Sequence, residues 1–220
     1  MSQAQWYNRW TLAKFASYLR GDILEIGCGI GNFTKSLLKY GNVWAIDIDK
    51  ENLNQTKNVV EGGAKVGFGD IEQGKYFFTK KSFDCVICIN VLEHIHKDTK
   101  ALKNIYKLLN KNGVLIMLVP AHPFLFGSID ESIGHFRRYE KNKLISLLKI
   151  SGFVINYVRI LNFLGAVGWF LSSKILKDRK IDKRRINLFN LIAPPFLFLE
   201  DFIKLPVGIS ILVIAKKKKQ

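Results

Sequence analysis

Short runs rich in β-branched and other apolar residues alternate along the chain with stretches whose apolar residues recur every three or four positions. The runs Asp22 to Ile26, Val43 to Ile46, Ala64 to Phe68, Phe83 to Ile89 and Val114 to Val119 read as strands. Between them Asn32 to Tyr40, Lys50 to Val60 and Lys97 to Asn110 keep apolar residues on one side and read as helices. Ahead of the first strand, Trp6, Trp10, Phe15 and Tyr18 lie among polar positions near a helical period, which predicts an amphipathic leading helix over residues 4 to 19. Strand and helix in strict alternation imply a doubly wound, mostly parallel α/β sheet with helices on both faces, joined by right-handed crossovers.

The alternation lapses at PAHPFLFGSIDESIGHFRRY, Pro120 to Tyr139, a polar and aromatic loop beyond the carboxyl end of a central strand, where open α/β sheets handle ligands. A helix over Lys141 to Ile150 and a strand over Phe153 to Ile160 come next. An apolar and basic segment, Leu161 to Leu205, then precedes a last strand at Ser210 to Ala215 and the lysine tail. This divides the chain into a main domain, 1–160 plus 206–216, a helical insertion at 161–205 and a basic tail at 217–220. Within the insertion, Leu161 to Ser173 has no charge but is shorter than a bilayer span, and the run Ile186 to Leu199 is interrupted by Pro194 and Pro195. Neither reads as a transmembrane helix. Trp169, Phe170, Phe189, Phe196 and Phe198 with the intervening KILKDRKIDKRR match an element lying in the membrane interface and drawn to anionic lipid; the alternatives are a lid or a dimer interface.

At 220 residues the chain has room for one α/β domain with a sizeable core. Its 34 Lys and Arg against 18 Asp and Glu leave a net charge of +16, a field that attracts anionic partners. The opening MSQAQWYNRW holds no apolar core behind a basic region, so a cytoplasmic location is expected, peripheral on the inner face of the membrane if the insertion binds lipid. Cys85 and Cys88 form a C-x-x-C inside FDCVICIN, but three positions apart on a strand they face opposite ways. With no second pair and no histidine cluster at ligand spacing, they read as buried thiols and no metal site is expected.

The candidate chemistry starts at ILEIGCGIGNF. Glu25, Gly27, Gly29 and Gly31 occupy alternate positions after a strand and before a helix, where glycines let the backbone turn and approach a ligand, and the helix start favours an anionic group. A dinucleotide loop would place a third glycine where Asn32 stands, which weighs against a nicotinamide-dependent oxidoreductase, as does the lack of a recognisable Tyr-x-x-x-Lys pair. Asp47 closes the next strand, placed to accept hydrogen bonds from both ribose hydroxyls.

Together EIGCGIG, Asp47, Gly69-Asp70 and INVLEHI resemble the class I methyltransferase superfamily, from about Tyr7 through the last strand. The resemblance implies a seven-stranded sheet and S-adenosyl-L-methionine as cofactor, with S-adenosyl-L-homocysteine as product. It implies that Gly27, Gly29 and Asn90 line the methionine moiety, Asp47 holds the ribose, Asp70 faces the adenine amino group and Ile71 touches the ring. Glu25, Cys28, Gly31, Asn32, Ile48 and Val91 complete the expected cofactor site. YNRW, VPAHPFLFGSIDESIGHFRRY and LPVGISILVIAKK resemble a bacterial and archaeal subgroup with a G-H-x-R-R-Y loop, some members associated with lipid-linked glycan or cell-envelope assembly. Where such enzymes carry Pro-Gly-Gly this chain has Lys111-Asn112-Gly113.

Methyl transfer from a sulfonium is an in-line displacement, so holding donor and acceptor in line supplies much of the acceleration. His135 in the long loop is the first candidate for a base and His122 the second, with Tyr139 as a hydrogen-bond donor to substrate or a residue packed beneath the loop. Arg137 and Arg138 either clamp an anionic group of the acceptor or pair with Asp130, Glu131 or Glu140. His94 is expected to anchor the turn near the cofactor and His96 to be exposed. The expected acceptor is apolar or lipid-linked; a soluble small molecule or RNA is the alternative, although no RNA-binding module is present. The sequence leaves the attacking atom and the oligomeric state open.

Overall fold

The computed structural model describes residues 5–180 and 183–218. Its centre is one eight-stranded sheet with the order β4-β3-β2-β1-β5-β6-β8-β7. The strands are β1 Asp22–Ile26, β2 Asn42–Asp47, β3 Ala64–Asp70, β4 Lys75–Tyr76, β5 Phe83–Ile89, β6 Leu109–Pro120, β7 Phe153–Leu161 and β8 Ser210–Lys217. β1 pairs in parallel with β2 and β5, as do β2 with β3 and β5 with β6. β3 with β4, β6 with β8 and β7 with β8 are antiparallel. The expected seven-stranded, mostly parallel sheet is therefore corrected to a mixed sheet of eight. β4 is two residues long, too short for any periodicity to reveal it. β8, the last strand in the chain, is inserted between β6 and β7 and runs antiparallel to both.

Side chains of successive strand residues take opposite faces, and two apolar layers result. Leu24, Ile26, Val86, Cys88, Leu115, Met117 and Val119 face one, completed by Leu102, Ile105 and Leu148. Ile23, Cys85, Ile87, Val114, Ile116 and Leu118 face the other, beneath Leu12, Phe15 and Leu37. Cys85 and Cys88 thus sit in different layers as free thiols, and burial pushes the Cys85 thiol up to about 12. The helices are α1 Gln5–Ala13, α2 Thr34–Leu37, α3 Lys50–Val60, α4 Asp98–Leu108, α5 Ser128–Ser132, α6 Lys141–Ile150, α7 Phe163–Trp169 and α8 Lys183–Glu200. On α4, Ala101, Leu102, Ile105 and Leu108 are buried, the stripe expected of an amphipathic helix. Residue 4 of the leading helix and residues 219–220 of the tail lie outside the described residues, and Lys217 belongs to β8.

Two further expectations are corrected. The helix expected at Asn32–Tyr40 is reduced to the four residues of α2, whose Thr34 faces inward and donates to Glu25 (2.6 Å). Its macrodipole is that of a single turn. α8 runs through Pro194 and Pro195 without ending. Two intrahelical hydrogen bonds are forgone there, yet the helix stays docked by a stripe of Ala193, Leu197 and Glu200. The Glu200 carboxylate accepts from the Asn162 and Phe163 N–H groups (2.5 and 3.0 Å), tying the end of α8 to the start of α7. A π-helical turn, Phe170–Ile175, continues α7. No helix among the described residues is long and apolar enough to cross a membrane.

Candidate active site

β1 and β5 are neighbours in the sheet, but β2 follows β1 on one side and β6 follows β5 on the other. The crevice at their carboxyl ends is the topological switch point, where open α/β sheets bind ligands. The glycine loop leaves β1 on one side of it and the turn at Asn90 leaves β5 on the other.

The loop is held by backbone bonds to β2 and by one hydroxyl. Gly27 and Cys28 donate N–H to the Ile46 carbonyl (2.8 and 3.1 Å), and Thr56 Oγ1 donates to the Gly29 carbonyl (2.7 Å). Gly27 and Gly29 both have positive φ, +69° and +53°. They differ in what lies outside them. A Cβ on Gly27 would stand 2.3 Å from Val91, whereas one on Gly29 would meet nothing within 4 Å. The backbone at Gly29 thus borders open space, and Val91 lies against Gly27. Asp47 Oδ2 accepts from Gly29 N–H and Oδ1 from Asp49 N–H, both at 2.9 Å, so the loop and the end of β2 share one carboxylate. A carboxylate offers about four acceptor positions, which leaves capacity for ribose hydroxyls. Ile48 beside it is 68% exposed, an uncovered apolar surface suited to a flat base. Asp70 at the end of β3 is partly buried and accepts from Gln73 N–H (2.8 Å). Asn90 is exposed, with φ +52° and its N–H bonded to the Leu118 carbonyl (2.9 Å). Open backbone at Gly29, spare acceptors on Asp47 and uncovered Ile48 fit an adenosyl group.

Other expected cofactor residues lie deeper. Cys28 packs with Ala45 and Leu53, and burial pushes its thiol up to about 12. Ile71 is 4% exposed and packs in the core beside the end of β3. Gly31 is buried against Thr56, and Asn32 is half-buried at the start of the short α2 turn. Glu25 is 5% exposed; burial pushes its carboxyl up to about 8, with nearby Asp47 adding to the rise.

The Pro120–Tyr139 loop is pinned at its base by a bridge between Ala121 and Tyr139 and by His122 N–H on the Tyr139 carbonyl (2.8 Å). Its return limb is stitched to the turn after β5. Phe136 N–H donates to the Glu93 carbonyl (2.9 Å), His94 Nδ1 meets the Gly134 carbonyl (3.1 Å), and Arg137 donates to Asp98 (3.0 Å) and the His96 carbonyl (3.1 Å). These contacts set His135 beside His94, with ring centroids 4.7 Å apart. His96 is exposed and lies against Phe136, 3.7 Å between centroids.

Asp130, expected only as an arginine partner, organises the loop. It is fully buried and accepts from Gly127 N–H (3.1 Å), His135 Nδ1 (2.8 Å), Arg138 Nε (2.8 Å) and Trp169 Nε1 (3.0 Å). Burial alone would raise its pKa, but the hydrogen bonds from His135 and Arg138 and the guanidinium charge hold it below the usual value. For two residues the geometry takes the packing alternative over the substrate one. Arg138 is turned inward: its side chain is 1% exposed, pairs with Asp130, donates to the Ala121 carbonyl (3.2 Å) and lies 4.7 Å over the Trp169 ring. Tyr139 is 6% exposed and donates to the Leu92 carbonyl (3.2 Å), so it packs beneath the loop and its hydroxyl is pushed up by burial. Arg137 is satisfied by Asp98 and the His96 carbonyl. His122 takes φ +59°, and its Nε2 is buried without a hydrogen-bond partner; burial and the charge of Arg138 lower its pKa.

Set at the switch point of a mixed α/β sheet, the glycine loop and the Asp47 carboxylate form a crevice of the Rossmann-like kind suited to a nucleoside cofactor. The comparisons agree. A family described as a methyltransferase domain matches residues 24–117. An uncharacterized protein of Methanocaldococcus jannaschii is 31% identical over 183 residues, which cover 81% of this chain and 77% of its own. A ubiquinone biosynthesis O-methyltransferase of Rickettsia canadensis is 33% identical over 100 residues, 44% of this chain and 41% of its own length, so the match spans less than half of that relative. Among solved structures, a SAM-dependent methyltransferase from Archaeoglobus fulgidus aligns with a TM-score of 0.66 at 17% identity, covering 97% of this chain and 94% of its own. The N-methyltransferase NodS from Bradyrhizobium japonicum, solved with S-adenosyl-L-homocysteine, aligns with a TM-score of 0.62 at 15% identity over 97% of this chain and 86% of its own. These two share the fold. Residues 24–117 form a methyltransferase domain, and the chain is an S-adenosylmethionine-dependent methyltransferase with the class I, Rossmann-like fold.

Proposed function

We propose that this methyltransferase acts on an oxygen of an apolar acceptor presented at a membrane surface. When bound, S-adenosylmethionine supplies a methyl group made electrophilic by its sulfonium. Asp47, its carboxylate already oriented by Gly29 and Asp49 N–H groups, receives the ribose hydroxyls; Asp70 and Ile48 border the adenine, and Asn90 the methionine end. The acceptor enters from the side of the Pro120–Tyr139 loop, and its oxygen meets the groups that the loop gathers at Glu93, His94 and His135. Transfer to oxygen accords with the relatives named ubiquinone biosynthesis O-methyltransferases. The same reading puts the chain in the subgroup with the Gly-His-x-Arg-Arg-Tyr loop, here Gly134 to Tyr139.

One observation carries the membrane part: the outward apolar face of α8 belongs to a segment bonded directly to the His135 loop. Leu188, Leu191, Phe196, Phe198 and Leu199 are 55–78% exposed on the side away from the docked stripe. Ser128 Oγ in α5 donates to the carbonyls of Ser173 (2.9 Å) and Asp178 (2.6 Å), and Trp169 donates to Asp130. Exposed Lys174, Lys177 and Lys180 flank the apolar side chains with charge that anionic headgroups attract. An acceptor embedded in the membrane would thereby meet the loop without leaving the interface.

Flotation with phosphatidylglycerol-containing vesicles tests this reading. The protein is expected to float, and Leu191→Glu with Phe198→Glu is expected to cut bound protein at least fivefold without lowering the melting temperature. Failure to float, together with no methyl label entering a lipid extract, would remove the membrane and apolar acceptor from the account.

A further inference from the structure

Glu93 is an anomaly in this fold. It is 0% exposed, yet neither carboxylate oxygen has a hydrogen-bond partner. Buried polar groups without partners are costly and uncommon, and each calls for an explanation. The charges of Arg138 and Asp130 act on it, and two histidines flank it. His135 Nε2 lies 3.7 Å from Glu93 Oε1, too long for a hydrogen bond, and one ligand atom from each of Glu93, His94 and His135 falls within 4.8 Å of the others.

The outer contacts prepare both imidazoles in the same way. The Gly134 carbonyl can only accept, so the hydrogen of His94 sits on Nδ1. Asp130 accepts from His135 Nδ1, which places that ring's hydrogen there as well. Both Nε2 atoms are left with free lone pairs. A carboxylate or carbonyl on the far nitrogen is the usual support of a metal-ligating histidine. Here Asp130 is itself fixed by Arg138 and Trp169, so His135 is held as rigidly as the protein allows.

We propose that Glu93, His94 and His135 form a site for a divalent transition-metal cation, open on the side of exposed His94, where the ion takes the acceptor's oxygen. Two imidazoles and one carboxylate with vacant positions suit Zn2+ and its neighbours better than Mg2+ or Ca2+. Ligand atoms around a tetrahedral zinc stand about 3.4 Å apart for bonds near 2.1 Å, so closing the cluster takes side-chain movements on the order of 1 Å. Glu93 and His94 follow Asn90 on the turn leaving β5, which puts the ion beside the methionine end of the cofactor crevice.

What the ion does rests on the methyl-transfer reading; that it binds does not. A hydroxyl on the cation has a lowered pKa and loses its proton to solvent near neutral pH. As that oxygen forms its bond to the methyl carbon, the carbon–sulfur bond breaks and its electron pair stays on sulfur. His135 then serves through its lone pair to the ion and not as a free base.

The full-length protein, stripped with chelator and dialysed, is titrated calorimetrically with Zn2+ and separately with Mg2+, and Co2+ binding is followed by visible absorption. One Zn2+ per chain is expected, with Mg2+ at least a hundredfold weaker. Glu93→Gln and His94→Ala are each expected to weaken Zn2+ at least tenfold. His94 is exposed, so its replacement keeps the fold if the Glu93 variant does not. Absence of a stoichiometric Zn2+ heat, or equal binding by folded variants, overturns the proposal and leaves an ordered water as the partner of Glu93. Titrating S-adenosylmethionine into the same samples separates the two ideas: cofactor binding without zinc refutes only the metal site, and zinc without cofactor refutes only the methyl-transfer role.

Discussion

Asp130→Asn removes one negative charge from a buried knot while keeping its shape. Four donors converge on that carboxylate, and the Arg138 side chain behind it is 1% exposed. An asparagine has a single acceptor oxygen, and its NH2 group would face either Arg138 Nε and His135 Nδ1 or the Gly127 and Trp169 donors. In the first orientation the guanidinium keeps only the Ala121 carbonyl and the Trp169 ring, and in the second it keeps the amide oxygen but loses the carboxylate's charge. Breaking a buried ion pair from one side costs about 3–5 kcal/mol. For a protein of this length each kcal/mol moves the melting temperature by about 2–4 °C, so the variant is expected to melt about 6–20 °C below wild type in calorimetry or circular dichroism. Arg138→Met added to Asp130→Asn removes the stranded cation, and the double variant is expected to lose less than the sum of the single losses by about 1 kcal/mol or more. A melting temperature within about 2 °C of wild type for Asp130→Asn, or strict additivity, would refute the view that this carboxylate holds the loop.

The glycine loop offers a paired test. Gly27→Ala drives a methyl group into Val91 at positive φ and is expected to cost about 1–3 kcal/mol of stability in denaturant titration. Gly29→Ala meets open space, so it is expected to melt within a few degrees of wild type yet bind S-adenosylmethionine at least tenfold more weakly; unaltered affinity would show that the cofactor does not approach there. Glu25 gives a pH signature. Its carboxyl is raised from 4.5 to about 8 by burial, so the native state holds a proton that the unfolded chain releases. The resulting stability is complete below about 4.5 and is lost as pH rises through about 8. Glu25→Gln is expected to flatten the fall in melting temperature between those values, and parallel pH profiles for the two proteins would contradict the assignment.

Much of the sheet was legible because its strands are apolar runs bounded by turn residues, and the assignment of Cys85 and Cys88 to opposite layers followed from strand geometry alone. The placement of the glycine loop and Asp47 at the strand ends was legible for a related reason: backbone conformation and strand-end position are both local properties. β4 was not, since two residues carry no period. α8 was misjudged because Pro194 and Pro195 speak only for local helix propensity, whereas the helix is held by Ala193, Leu197 and Glu200 against the rest of the molecule. The roles of Asp130, Glu93 and His94 were hidden because they depend on which residues the folded loop brings together. His94 and His135 are far apart in sequence, and only the stitching of Phe136, Arg137 and Gly134 to the β5 turn joins them. For the two arginines the sequence left a substrate clamp and an ion pair as alternatives; Asp130 was among the partners considered for Arg138, whereas Asp98, distant in sequence, was not foreseen for Arg137.

The central claim is that the crevice between Gly29 and Asp47 receives an adenosyl sulfonium. Calorimetric titration of S-adenosylmethionine into the wild-type protein and into Asp47→Ala, with NADH as a control ligand, tests it most directly. The account predicts one molecule bound per chain, at least tenfold weaker binding by the variant with its fold retained, and no heat from NADH. Equal affinity in both proteins, or NADH binding where S-adenosylmethionine does not, would contradict it.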